Sequence, residues 1–232
     1  MRDLKDKVAN SLSENEAPAS SVSRRGFLRG SGGIALAAGS ATLLMGSLTK
    51  SARADDRGAS LDYFRQIREH ENAHVTFLAQ ALGRRARTRP TFVGLSQDSF
   101  ENFVIVSQGL ENTGVAAYLG AAPYIFNQDY LAAASSIALI EARHAGFLNY
   151  FQGSPVTANI LNLSSDNSFE QSLSARKVGL VAGGFIKSLN GGPPVTYSGT
   201  PSEENDIAIL NFALALELLE AEFYNINAPL YS

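Results

Sequence analysis

One eight-residue frame occurs twice in this chain, as Glu71-Asn72-Ala73-His74-Val75-Thr76-Phe77-Leu78 and as Glu141-Ala142-Arg143-His144-Ala145-Gly146-Phe147-Leu148. Both copies read E-x-x-H-x-x-F-L. Residues three apart share one face of a helix, so each copy aims a carboxylate and an imidazole at one point, while Phe and Leu seal that face one turn on. A helix built this way offers metal ligands to the core of a bundle. The chain has 3 histidines, and two of them fall in this frame.

A bundle that binds two metals in its core needs two more carboxylates, one from each remaining helix. Glu111 and Glu217 are the candidates, and each has a tyrosine seven residues on, Tyr118 and Tyr224, two turns down the same face. The chain therefore reads as two kinds of helix, each present twice. One carries E-x-x-H and the other carries Glu with Tyr at i+7.

The 232 residues suffice for one domain with a real core, but the first 54 read as an address. Ser23-Arg24-Arg25-Gly26-Phe27-Leu28-Arg29 resembles a twin-arginine signal. A weakly apolar run from Gly32 to Leu48 follows it, then the small-residue site Ala52-Arg53-Ala54. Read as a membrane anchor, that run is short and rich in Gly and Ser, so a cleaved signal is the better reading. Cleavage after Ala54 leaves a domain over 55–232 that is exported to the periplasm or beyond. The leader holds eight of the 19 Lys and Arg and four of the 22 Asp and Glu, which leaves 11 against 18 and a mature charge of −7. That balance argues against nucleic acid as a partner. With 0 cysteines there are no disulfides, iron–sulfur clusters or rubredoxin-type irons.

Helical spacing predicts a helix from Ser60, its N-cap, to Leu82, with Gly83 as the stop, then a solvated crossover carrying Arg84, Arg85, Arg87 and Arg89. Further helices are predicted from Ser99 to Ala121 and from Asn127 to Tyr150. A loop over Phe151 to Ser172 follows, and then a short helix from Ser174 to Leu189. The last helix opens on Thr200-Pro201-Ser202-Glu203, read as a capping box with Pro at the first helical position, and Pro229 closes it. Glu217, Glu220 and Glu222 also admit a reading as a charged flank, which suits Glu222, while Glu220 is the alternative to Glu217 as the ligand on that helix. His70 falls about 100° from Glu71 and belongs to the rim.

Three stretches, Ile209 to Leu214 with Leu219 to Tyr224, Leu110 to Ala121, and Glu141 to His144, resemble the ferritin-like family that includes plant desiccation-related proteins and exported bacterial homologues. The resemblance spans about Leu61 to Tyr224. It implies an all-α, ferritin-like four-helix bundle with one long crossover and a centre of two Fe or two Mn ions. It assigns Glu217 to the first family helix, Glu71 and His74 to the second, Glu111 to the third, and Glu141 and His144 to the fourth. Here the first family helix comes last, as in a circular permutation; a helix swapped between two copies in a homo-oligomer is the alternative. The resemblance further implies Glu71 and Glu141 as bridges, one imidazole per metal, and Glu111 and Glu217 as outer ligands, with Tyr118 and Tyr224 either hydrogen-bonding the ligands or packing the core. An oxidoreductase acting on peroxide or dioxygen in oxidative or desiccation stress follows from it. Metal storage and a non-catalytic protective scaffold are the competing roles, and the twin-arginine translocase is an expected partner.

Overall fold

A computed structural model describes residues 56–231; the leader and its cleavage site lie outside the described residues. Among the described residues five α-helices carry the fold: α1 (Asp56–Leu82), α2 (Phe100–Ala121), α3 (Gln128–Phe151), α4 (Ala175–Ala182) and α5 (Glu203–Tyr231). The protein is an all-α bundle in which α1, α2, α3 and α5 are the long members. Among the described residues no helix is long and apolar enough to cross a membrane.

Helix α1 packs against α5, and α2 against α3, while α4 lies on α2. Contacts from Arg87 to Asn211 and from Asn72 to Asn225 run opposite ways along the two chains, so α1 and α5 are antiparallel. The long crossover from 83 to 99 makes α2 parallel to α1, and a tight turn returns α3. A second long segment, 152–202, delivers α5 parallel to α3. Near their middles the two long connections are stitched together by a two-stranded antiparallel pairing of β1 (Thr91–Phe92) with β2 (Ile186–Ser188).

The local signals explain most helix ends. Ser99 Oγ accepts from Asn102 N–H, and Asn127 Oδ1 from Asp129 and Tyr130, so both helices start where an Ncap side chain satisfies free amides. Gly83 adopts φ +53°, the left-handed conformation that ends α1. Four expectations need correcting. Ser60 lies inside α1, which begins at Asp56. The cap of α5 is Ser202 and not Thr200, because Ser202 Oγ accepts from Asn205 N–H at 3.0 Å. Pro229 sits inside the last turns of α5 and does not close it. The helix expected from Ser174 to Leu189 stops at Ala182, because the residues after it pair with the crossover as β2.

The arginine cluster also differs from the solvated crossover expected of it. Arg87 is buried, its backbone N–H donating to Asn211 Oδ1 and its guanidinium to Asn211 O. Arg89 pairs with Glu222, which is the flank residue expected.

Helix α5 is buried on every side from Ile209 to Ala221, as a helix at the centre of a core must be. Tyr197, from the long second connection, packs edge-on against Phe212 and covers a face that no helix reaches. Buried polar side chains fix its height in the bundle. The Asp206 carboxylate accepts from the N–H groups of Phe126 and Asn127 in the α2–α3 turn. Asn211 takes Arg87 N–H, and Asn227 accepts from Gln97 N–H while donating to Leu95 O. Each of these links satisfies a loop amide or carbonyl that would otherwise be buried unpaired. A one-turn slip of α5 would break them all.

Candidate metal centre

Apolar side chains form two separate clusters along the bundle. One contains Phe64, Phe103, Leu148 and Phe223, and the other Leu78, Ile137, Leu210 and Leu214. The ligand candidates fall between these plugs because each helix places its carboxylate at mid-length, with apolar turns on both sides. Glu71, Glu111, Glu141 and Glu217 are all 0% exposed, and His74 and His144 are buried at 9% and 5%.

These six side chains form two groups, Glu71, His74, Glu141 and Glu217, and Glu71, Glu111, Glu141 and His144, in each of which one donor atom per residue lies within 4.8 Å of all the others. Glu71 and Glu141 belong to both. His74 Nδ1 is 3.2 Å from oxygens of Glu71, Glu141 and Glu217. His144 Nδ1 is 3.0 Å from Glu71 and 3.1 Å from Glu111. Both imidazoles therefore present the same ring nitrogen inward, from opposite sides of a shared carboxylate pair.

Four buried carboxylates held this close repel one another and lose their hydration, which favours the protonated form. Burial, then Glu71 and Glu217, push Glu141 far above the usual carboxylate range. Burial pushes Glu217 to about 7, although His74 opposes it. Glu71 escapes: burial raises it, but hydrogen bonds from His144 and His74 outweigh that and hold it at about 2. Burial would lower His144, yet Glu111 and Glu71 lift it to about 11, and three carboxylates raise His74 likewise.

Oε2 of Glu141 and Oε1 of Glu111 are buried without a hydrogen-bond donor. A native core rarely leaves such atoms unpaired, and a cation is the partner that the chemistry of these donors asks for. Carboxylate oxygens with imidazole nitrogens form a hard, mixed shell that suits Fe or Mn. The residues present thus fit a pair of such ions.

Tyr118 donates its hydroxyl proton to Glu217 Oε1 at 2.5 Å. Tyr224 is fully buried, its ring against Phe103 and Phe223 and its hydroxyl facing Glu111. Of the two readings of these tyrosines, Tyr118 shows the hydrogen bond and Tyr224 shows mainly the packing.

Three further features complete the surroundings, and the sequence raises only the first, Glu220, as an alternative to Glu217. Glu220 is 3% exposed, with an unpaired Oε2, and so is no surface flank. Gly114 faces Glu141 and Glu220, and a Cβ there would lie 2.6 Å from Glu141 Oε2. Its place three residues after Glu111, on the same helix face, was the available signal. His70 lies at the rim, as its angle on the helix predicts, but its Nδ1 meets His144 Nε2 at 2.9 Å. That contact comes from another helix, and no spacing within α1 could reveal it.

In comparison with known proteins, the ferritin-like domain family model matches residues 37–154, just over half of the chain's 232. The matched segment carries Glu71, His74, Glu111, Glu141 and His144 and leaves α5, with Glu217, outside. No curated protein and no solved structure matches the chain.

Proposed function

We propose, from the premise that this chain belongs to the ferritin-like domain family, that it is an exported dimetal protein performing redox chemistry on peroxide or dioxygen. The observation that carries the reading is the pair of four-residue groups sharing Glu71 and Glu141, closed around buried carboxylate oxygens that lack donors. Two Fe or Mn ions held there would supply one-electron steps between the +2 and +3 states. The chain's own residues do the rest. Four carboxylates offset the ions' charge, and each imidazole serves one group. The apolar plugs above and below keep bulk water out, so the electrostatics of the centre act in a low-dielectric medium. Tyr118 donates its hydroxyl proton to Glu217 and so would hold that carboxylate in place beside a bound ion. A purely structural bundle has no use for this arrangement, since leucines at these positions would be buried at far lower cost.

Two parts of the proposal concern the chain's history. Helix α5 is the family's first helix moved to the end by circular permutation: it completes the bundle within one chain, antiparallel to α1, and the family match stops before it. The Arg24-Arg25 leader directs export of the folded, metal-loaded protein.

The test is metal analysis of the mature protein, followed by peroxide and dioxygen assays. Close to two Fe or Mn per chain is expected, mostly lost in Glu141→Ala and His144→Ala, with many turnovers of peroxide per centre or repeated oxidation of Fe(II). Full occupancy without turnover would make the protein a metal store, and less than about half a metal per chain under replete conditions would make it a scaffold. An exported protein whose N-terminus is not Asp55 would refute cleavage after Ala54.

A further inference from the structure

The two imidazoles of the centre differ on their outward side. His74 makes contacts through Nδ1 alone among the described residues, whereas His144 uses both ring nitrogens. Its Nε2 is 2.9 Å from Nδ1 of His70, and the two ring planes are parallel to within 6° with centroids 5.2 Å apart. That separation is as long as a 2.9 Å contact between ring nitrogens permits, so the parallel rings meet edge to edge and the lone pair of one points along the N–H of the other. His70 stands on α1 and His144 on α3, so the bond spans the seam between the two helices. On that seam the centre comes nearest to solvent: the side chains of His74 and His144 are 11% and 6% exposed, whereas those of Glu71, Glu111 and Glu141 are at 0%.

The geometry points to His70 as a positioning residue for one half of the metal centre, the group of Glu71, Glu111, Glu141 and His144. This inference rests on the reading of the cluster as a dimetal site. An imidazole that binds metal through Nδ1 must carry its remaining proton on Nε2, and a partner that accepts that proton fixes both the tautomer and the angle of the ring. His70 Nδ1 is such an acceptor, and its own proton then sits on Nε2, toward solvent. His74 has no equivalent partner among the described residues, so the two halves of the centre are unequally supported.

Full-length mature protein loaded with Mn(II), or with Zn(II) as a diamagnetic probe, tests this in the wild type and in the variants His70→Ala and His70→Gln. Release to an excess of chelator is followed for both ions, and the ring nitrogens of His144 are observed by 15N NMR in the Zn form. His70→Ala is expected to release one of the two ions roughly 10–100-fold faster and leave the other unchanged, as loss of a partner to a metal-bound histidine does. The His144 nitrogens should move toward a mixture of tautomers. His70→Gln, whose side-chain carbonyl also accepts, should restore most of both properties. Because His70 is exposed, the metal-free melting temperature should not change in either variant. Wild-type release of both ions by His70→Ala, equal loosening of both, or no recovery with Gln would overturn the inference. A wild-type protein that binds neither ion would instead overturn the dimetal reading beneath it.

Discussion

Replacing Gly114 by alanine should leave the fold intact and empty the centre. In the interior of a helix the change is worth about 1 kcal/mol in favour of alanine. Here the new Cβ would stand 2.6 Å from Oε2 of Glu141 and 3.4 Å from Oε1 of Glu220. The atoms in the way are side-chain ends, so Glu141 can turn aside, at about 0.5–1.5 kcal/mol for a strained rotamer. The two terms nearly cancel, and the metal-free protein should melt within about 2–4 °C of wild type. Glu141 is shared by both four-residue groups, however, so its displacement weakens both positions at once. A 100-fold loss of affinity removes about 2.7 kcal/mol of ligand stabilisation, or roughly 5–10 °C of the metal-dependent rise in Tm for a chain of this size. Calorimetry with and without Mn(II), paired with metal analysis, reads both quantities. A variant that keeps the wild-type metal content and the wild-type rise would refute the reasoning. So would one that unfolds without metal, because Gly114 would then serve the fold and not the site.

Gly120→Ala is the contrasting case: its Cβ would lie 1.9 Å from the backbone oxygen of Leu173, which cannot swing away, so a loss above about 3 kcal/mol is expected by denaturant unfolding. Gly109→Ala on the same helix meets nothing within 4 Å and should be neutral or stabilise by up to about 1 kcal/mol. From Glu71, Glu217 and His144 the metal-free protein should be most stable near pH 4.5, the ordinary carboxylate value, and lose stability on either side. Glu71, held at about 2, contributes stability that is lost as pH falls from its ordinary 4.5. Glu217 at about 7 and His144 at about 11 contribute stability that is lost as pH rises through those values. Metal must expel the same protons, so its affinity should rise with pH, and a titration in weakly buffered solution should show proton release on loading. Removing the chain after Thr200 should make the rest aggregate, because α1 and α2 would expose the faces that α5 covers; a soluble, metal-loaded truncation would contradict this.

The sequence revealed the polar centre more fully than it did the scaffold around it. Glu71 and His74, and Glu141 and His144, are each local pairs whose meaning follows from the helical repeat alone, and the structure brings all four together with Glu111 and Glu217. Long helices were legible for the same reason. What stayed hidden depends on partners distant in the chain. Ile186 to Ser188 leave a helical pattern because the crossover offers a strand to pair with. Arg87 is buried because Asn211, 124 residues away, takes up its N–H. Glu220 and Glu217 were both open as the ligand on α5, and it is the structure that groups Glu217 with the other ligands and sets Glu220 beside Gly114. Pro229 could stay in α5 because it stands in the last turn, two residues from the end of the helix at Tyr231.

The anchoring of α5 by Asp206, Asn211 and Asn227 gives the centre an order of birth. One group of four, Glu71, Glu111, Glu141 and His144, stands wholly on α1, α2 and α3, whereas the other is closed by Glu217. During synthesis the ribosome makes the first half of the centre more than fifty residues before the second. It makes Asn227, the last of the side chains that lock α5 at its proper height, later still. A growing chain thus carries every residue of one group before the helix that closes the other, and that packs the bundle, has been made.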